Sequence, residues 1–203
     1  MGLPTSGYTK DSSKNFLIDA GTIFKNVTWD DAAGGFTGDL LGATTDGVEV
    51  NIETKYRKID VDGTHHVDVV GLNVLESAQG TIKAKLKELT PENLRLAING
   101  MLKESTEYEG YKEITTKRYL DDSDYVENMA IVGKVTGSDT PIVIIFDNVL
   151  ITSPLNLQTK DGDEASIELE GQSNASFEQL QAGEFPWRIL FPNTGTTETM
   201  EVQ

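Results

Sequence analysis

The chain of 203 residues contains no cysteine, which excludes disulfides, thiolate metal sites and cysteine nucleophiles and fits assembly in a reducing cytoplasm. Histidine is nearly as scarce. His65 and His66 are the only two, and adjacent residues of an extended chain point to opposite faces instead of converging on one metal, so they read as a solvated loop tip. Asp60, Asp62 and Asp68 could join them around a cation, and a loop tip accounts for the same residues equally well. Basic residues are few: Lys and Arg number 17 against 33 Asp and Glu, a net charge of −16. Such a chain lacks the lysines and arginines that displace counterions from a phosphate backbone. Recognition of single strands by stacking would need exposed aromatics interleaved with basic residues, and aromatics make up only 7% of the chain. No apolar run approaches the ~18 residues that span a bilayer, and Met1 to Lys10 lacks the basic run and apolar core of a signal peptide.

Motifs of chemistry are missing as well. There is no phosphate-cradling glycine loop of the P-loop form and no Gly-x-Ser-x-Gly elbow. Asp121, Asp122 and Asp124, and separately Asp161, Asp163 and Glu164, begin like calcium loops but do not continue to a bidentate glutamate twelve residues on, and read as turns. Carboxylates are abundant, yet a glycosidase pair must be positioned across a cleft, which abundance does not establish. No catalytic, cofactor-binding or metal residue is therefore assigned, and the chain is not read as an enzyme.

What is present is β texture. Gly47 to Glu53 and Thr81 to Leu89 both alternate apolar with polar residues, the period of strands with one buried face. They are expected to pair antiparallel with Asn51 opposite Lys85, so that Glu49 faces Lys87 and Glu53 faces Lys83 on one face while Val50 meets Leu86 and Ile52 meets Ala84 on the other. A slip of one residue would set Val and Ile against Lys. Thr90-Pro91-Glu92-Asn93 then reads as a helix start, with Thr90 as N-cap, Pro91 at the first helical position and Glu92 favoured by the helix dipole. The apolar stripe Leu94, Ala97, Ile98 and Met101 or Leu102 predicts a helix over 90–102 covering a sheet.

Taken in order, Leu41-Gly-Ala-Thr44, Gly47-Val-Glu-Val50, Ile59-Asp-Val-Asp-Gly63 and Glu88-Leu-Thr-Pro-Glu-Asn-Leu94 resemble the major tail tube proteins of long-tailed bacteriophages. The resemblance covers roughly residues 15 to 105. It implies the tube fold shared with contractile injection tubes, in which six subunits join their sheets into a ring-shaped barrel and the rings stack. It also implies that the connection centred on 60–71 reaches the next ring.

Residues 1–14 are polar and read as an N-terminal arm. Phe16 to Val27 is a first strand with a bulge or bend at Gly21. Residues 29–46 read as a long loop carrying Trp29, Phe36, Leu40 and Leu41, which either dock onto a neighbour or pack into the core. The strands flanking 60–71 are expected to extend past Arg57 and back from Leu72 as a projecting hairpin. The segments 1–14, 29–46 and 60–71 are expected to be mobile in the free subunit. Tyr111 to Leu120 and Tyr125 to Val135 read as strands, Ile142 to Phe146 as a central strand buried on both faces, and Leu150 to Thr159 with Ala165 to Gly171 as a hairpin about Asp161-Gly-Asp163. Phe185 to Pro192 is a last strand and 193–203 a polar tail.

The expectation is thus a mainly β chain: one domain over 1–203, two packed antiparallel sheets as a β-sandwich or partial barrel, and one flanking helix. The resemblance implies a structural subunit of a tail tube in the virion, assembled in the host cytoplasm, with itself and the tape measure, terminator and distal tail proteins as partners and DNA in transit without specific binding. Glu49, Asn51, Glu53, Lys83, Lys85 and Lys87 are the candidate lining of the lumen, with Ser166, Glu168 and Glu170 as the alternative. Trp29, Phe36, Leu40, Leu41, Asp60, Asp62, His65 and His66 are candidate contacts between subunits or rings. An acidic surface is accounted for either by solubility alone or by a conduit through which DNA must slide without binding. The competing reading is a soluble β-sandwich module binding carbohydrate or a cell surface.

Overall fold

The computed structural model describes residues 6–159 and 161–193. Its elements are β1 (Leu17–Asp30), β2 (Gly35–Leu40), β3 (Thr44–Lys58), β4 (Asn73–Leu86), α1 (Pro91–Ala97), β5 (Gly100–Glu104), β6 (Lys112–Thr116), β7 (Val126–Val135), β8 (Ile142–Ile151), β9 (Ile167–Gln172), α2 (Phe177–Ala182) and β10 (Trp187–Leu190). The expected two sheets are one: β2-β1-β7-β8-β9-β4-β3 form a continuous antiparallel sheet with β10 added on β8, while β5 and β6 make a separate ribbon. Strand β8 joins the two halves. Val143 to Phe146 pair with β10, and Leu150 and Ile151 pair with β9.

The sheet curls so that its two ends share a core without closing into a barrel. Ile23 of β1, Met129 and Ile131 of β7, Phe146 and Val149 of β8, Ile82 and Leu86 of β4, and Ile167 and Leu169 of β9 pack in one buried cluster. Gly80 makes this curl possible. A Cβ there would lie 2.6 Å from Phe146 Cε1 and 2.8 Å from Ser173 Oγ, so only glycine lets β4 pass this close beneath the phenyl ring.

The first strand bulges as expected: pairing with β7 shifts register between Ile18 and Thr22, next to Gly21, and Asp19 takes a positive φ of 64°. Residues 29–46 are not a loop. Four turn residues after Asp30 return the chain as β2, which pairs back on β1 with Trp29 opposite Phe36 and Phe24 opposite Leu40. Asp30 Oδ1 accepts from the amides of Ala32 and Ala33, the side-chain turn that makes the reversal local.

The helix starts as read and ends early. Asn93 N donates to Thr90 Oγ1 at 3.1 Å, Pro91 opens α1, and Glu92 pairs with Arg95 at 2.9 Å. It stops at Ala97 instead of residue 102, because Asn99 adopts a left-handed φ of 46° and Gly100 begins β5; Met101 and Leu102 belong to that strand. A second helix, α2, was not expected. Its signal was a capping box: Ser176 Oγ accepts from Gln179 N while Gln179 Oε1 accepts from Ser176 N, and Gly183 closes the helix in the left-handed region.

The strand expected over Tyr111 to Leu120 is only Lys112–Thr116. Ser123 and Asp124 then sit in a short 3-10 turn in which Lys117 holds the Asp124 carboxylate at 2.6 Å. The hairpin expected between 150–159 and 165–171 forms only at the end away from its turn, where Leu150 and Ile151 pair with Gln172 and Gly171 and Thr152 N donates to Glu170 O, while the other edge of β9 pairs with β4. Pro154 interrupts the ladder on the other arm, as a residue without an amide proton must. The expectation for 193–203 lies outside the described residues except at Asn193, and that for 1–14 outside them at 1–5. Within 6–14 the chain makes a 3-10 turn at Ser12–Lys14.

Candidate functional site: a polar sheet face and a projecting arm

The strand pairing of β3 with β4 is observed, in a register four residues from the expected one. Glu49 lies opposite Lys83, Val50 opposite Ile82, Asn51 opposite Thr81, and Glu53 opposite Gln79. An even slip preserves which face every side chain takes, so the burial pattern agrees with the reading: Ile82, Ala84 and Leu86 are buried, and Lys83 and Lys85 are half-exposed on the opposite face. At a bulge between Thr45 and Val48, where Asp46 and Gly47 have φ of 62° and 80°, the register shifts again, so that Thr45 lies opposite Lys85.

Strand β9 extends this face. Lys83 lies between Glu49 and Glu170, and Lys85 between Thr45 and Glu168, while Thr81 lies between Asn51 and Gln172. The two candidate sets, Glu49, Asn51, Glu53, Lys83 and Lys85 on one hand and Glu168 and Glu170 on the other, are therefore one surface and not alternatives. Lys83 Nζ bonds Glu170 Oε2 at 3.3 Å, and Lys85 Nζ bonds Asp46 Oδ2 at 3.0 Å. That hydrogen bond from Lys85 to Asp46, with the carboxylate's charge behind it, holds the ammonium above its ordinary pKa.

The expected pairings of Glu49 with Lys87 and of Glu53 with Lys83 are not formed. Lys87 lies beyond the end of β4, where it reaches Asp163 at 3.4 Å and Glu164 at 3.5 Å; Glu53 meets Lys55 at 3.5 Å. Each lysine of β4 is thus matched by at least one carboxylate, with Glu49 and Glu168 in addition. The face is polar and in acidic excess, and Thr45, Asp46, Glu49, Lys83, Lys85 and Glu168 line a shallow hollow of about 240 Å³ on it.

Beyond Thr54 the β3–β4 ribbon leaves the core as an arm, as expected from the strand lengths. Tyr56 pairs with Leu75 with both side chains exposed. At its tip Lys58 Nζ gathers the turn by donating to Thr64 O, Val67 O and Asp68 Oδ1. Asp60, Asp62, His65 and His66 all lie exposed on this tip, and no group of three or more metal-ligating side chains forms among the described residues. What the sequence reading missed here is the valines: Val61, Val67, Val69 and Val70 are exposed, Val70 completely. Their signal was plain, since four valines in a turn that cannot bury them are an apolar patch.

The other contact candidates divide. Trp29 and Leu40 are exposed on the β1–β2 hairpin, whereas Leu41 is buried in the core and donates its amide to Ile23 O. Phe36 is half-buried, edge-on to Trp29 at 4.9 Å, and packs against a small second cluster of Val27, Ala130, Val143 and Ile145. Beside it lies an open apolar hollow of about 320 Å³ lined by Phe24, Val27, Trp29, Phe36, Val132 and Val143. A second exposed apolar group, Phe177 and Leu180 of α2 with Phe185, Ile189 and Phe191 around β10, had no counterpart in the sequence reading. No helix among the described residues is long and apolar enough to cross a membrane.

Comparison with known proteins adds the following. No family model matches the chain, and no curated protein matches it. Among solved structures, it is similar to a chain of an anti-feeding prophage baseplate at 11% identity and TM-score 0.41, covering 94% of this chain and 97% of that one. It is also similar to chains of a native gene transfer agent virion and of the tail of an empty gene transfer agent particle. Each of these is 12% identical with TM-score 0.38, covering 77% of this chain and 92% of the other.

Proposed function

We propose that this chain is a structural subunit of a phage-type tail tube, in which copies join into hexameric rings, the rings stack, and DNA passes through the bore. The observation that carries this reading is the continuous polar face of β9, β4 and β3, on which every lysine of β4 is flanked by carboxylate. Duplex DNA presents one negative charge per ~1.7 Å of axis, and a wall of paired lysines in acidic excess gives a sliding phosphate nothing to release counterions against. The same strands leave their apolar side chains on the opposite face, in the core, so the surface is a deliberate alternation and not a failed one.

The remaining features fit assembly. The outer edges of β2 and β3 are unpaired among the described residues, a liability that pairing between copies removes. The arm carries its exposed valines away from the body, toward a neighbouring ring. The partners of such a tube are its own copies and the other tail proteins (tape measure, terminator and distal tail), in a virion tail built in the host cytoplasm.

The binding-module reading would rest on the hollow beside Trp29. There the indole Nε1 donates to Asp31 and the ring packs edge-on against Phe36, so the polar atom of the indole is already engaged within the chain. Negative-stain electron microscopy across a concentration series tests the proposal. Rings or tubes are expected as concentration rises, and monodisperse single particles throughout would refute it.

A further inference from the structure

Residues 154–159, Pro-Leu-Asn-Leu-Gln-Thr, alternate apolar with polar side chains as a strand does, yet they form none. They sit where a strand belongs. Following β8, the chain runs back along β9: Thr152 N donates to Glu170 O, and Ser153 Oγ donates to Glu168 O and accepts from Glu170 N. Beyond Pro154, Leu155 packs on the core, while Asn156 and Gln158 share a shallow hollow with Ser166 and Glu168 on the polar face. The segment therefore carries both faces of the sheet one strand further, with no strand paired to its outer edge among the described residues and Leu157 half-exposed.

At the opposite end of the same surface lies the free edge of β3, fifteen residues long. The order across the surface is 154–159, β9, β4, β3, with each neighbour antiparallel to the last. The segment and β3 thus run in opposite senses. In a cyclic ring whose axis follows the strands every copy keeps its strand sense, so a unit of four alternating strands meets the next copy antiparallel; an odd number would force a parallel joint.

We propose that residues 154–159 become a strand by pairing antiparallel with the free edge of β3 in a second copy of this chain. The inference rests on the ring reading above and names the two edges that make the joint. It matches chemistry on both sides: Asn156 and Gln158 come beside Glu49, Asn51 and Glu53 on the polar face, and Leu155 and Leu157 come beside Val48, Val50 and Ile52 toward the core. The local β pattern of 154–159, unsatisfied in one copy, is satisfied by the partner.

The absence of native cysteine gives a direct test. Within one copy the segment and β3 are three strand spacings apart, about 14 Å, beyond the ~7 Å Cα separation a disulfide tolerates. Asn156→Cys is combined in turn with Glu49→Cys, Asn51→Cys and Glu53→Cys, assembled and oxidised. A ladder of covalent oligomers on a non-reducing gel is expected for at least one pair, while each single-cysteine variant stops at a dimer. Hydrogen exchange on the unmodified chain, free and assembled, gives an independent reading in which the amides of 155–159 slow by more than about tenfold only on assembly. Rings or tubes that form without a ladder from any pair and without that protection overturn the joint and leave the tube reading standing. Failure to assemble at all overturns both.

Discussion

Gly80→Ala tests the curl that gives the subunit its shape. The backbone at Gly80 is in a conformation open to any residue, so the substitution is judged on space alone, and alanine's stiffer unfolded chain would by itself stabilise by about 0.4–1 kcal/mol. Space is lacking. The new methyl would stand 2.6 Å from Phe146 Cε1, 2.9 Å from Cδ1 and 2.8 Å from Ser173 Oγ. Phe146 is fully buried, and Ser173 is tied by its amide at 3.0 Å and its hydroxyl at 3.1 Å to the carbonyl of Gly80 itself, so neither neighbour can retreat freely. Overpacking of a tight site costs about 1–3 kcal/mol, and this contact belongs in the upper part of that range. The net loss is about 1.5–2.5 kcal/mol, or about 3–10 °C in Tm for a chain of this length. Urea unfolding of the free subunit at low concentration reads it as a shift of midpoint at constant slope. Phe146→Leu alone also destabilises, by opening a cavity. In the double variant the methyl occupies part of that cavity, so the combined loss should fall short of the sum by more than about 0.5 kcal/mol. Strictly additive losses, or a Gly80→Ala variant as stable as the parent, would show that β4 does not pass beneath Phe146 as described.

The two faces of β4 should respond separately: Leu86→Ala, at a fully buried position, should cost the subunit about 2–5 kcal/mol by urea unfolding, whereas Lys85→Val should leave subunit stability nearly unchanged and impair assembly seen by sedimentation. Reversing Glu49 and Glu53 to Lys removes carboxylates beside Lys83 and Lys55 and places positive charge within about one Debye length, ~8 Å, of a passing phosphate; DNA ejection from virions carrying the variant should slow while tube yield changes less. The pH profile of Tm should be flat near neutrality and fall at both ends. Hydrogen bonds from Arg95 to Glu92 and from Lys103 to Glu113 depress these carboxyls below their ordinary value of 4.5, so their stabilisation is complete above that value and is lost as pH falls through the depressed one. Lys117 is raised above 10.5 by hydrogen bonds to Asp124 and Asp121, so its stabilisation is complete below 10.5 and is lost as pH rises through the raised value. A Tm that rose on acidification below pH 4 would contradict these assignments.

The sequence by itself determined which side chains face in and which face out. Period-two alternation in 47–53 and 81–89 is a local property of the extended backbone, and Val50, Ile82, Ala84 and Leu86 turned inward wherever their partner strand came to lie. The start of α1 was equally legible, because Thr90, Pro91 and Asn93 act within a single turn, and the central position of β8 followed from five consecutive apolar residues. Register was not legible, since a pattern of period two is unchanged by a slip of four, and the bulge at Asp46–Gly47 that shifts it again draws on two residues any turn could use. Nor could the sequence say that Leu41 is buried while its neighbour Leu40 is exposed, or that Glu168 and Glu170 share a surface with Glu49. Leu41 is held by Ile23 and Asn93, and Glu168 and Glu170 lie more than a hundred positions from Glu49, joined to it only by the pairing of β9 with β4 and of β4 with β3. Local propensity carries no term for which distant edge a strand will find.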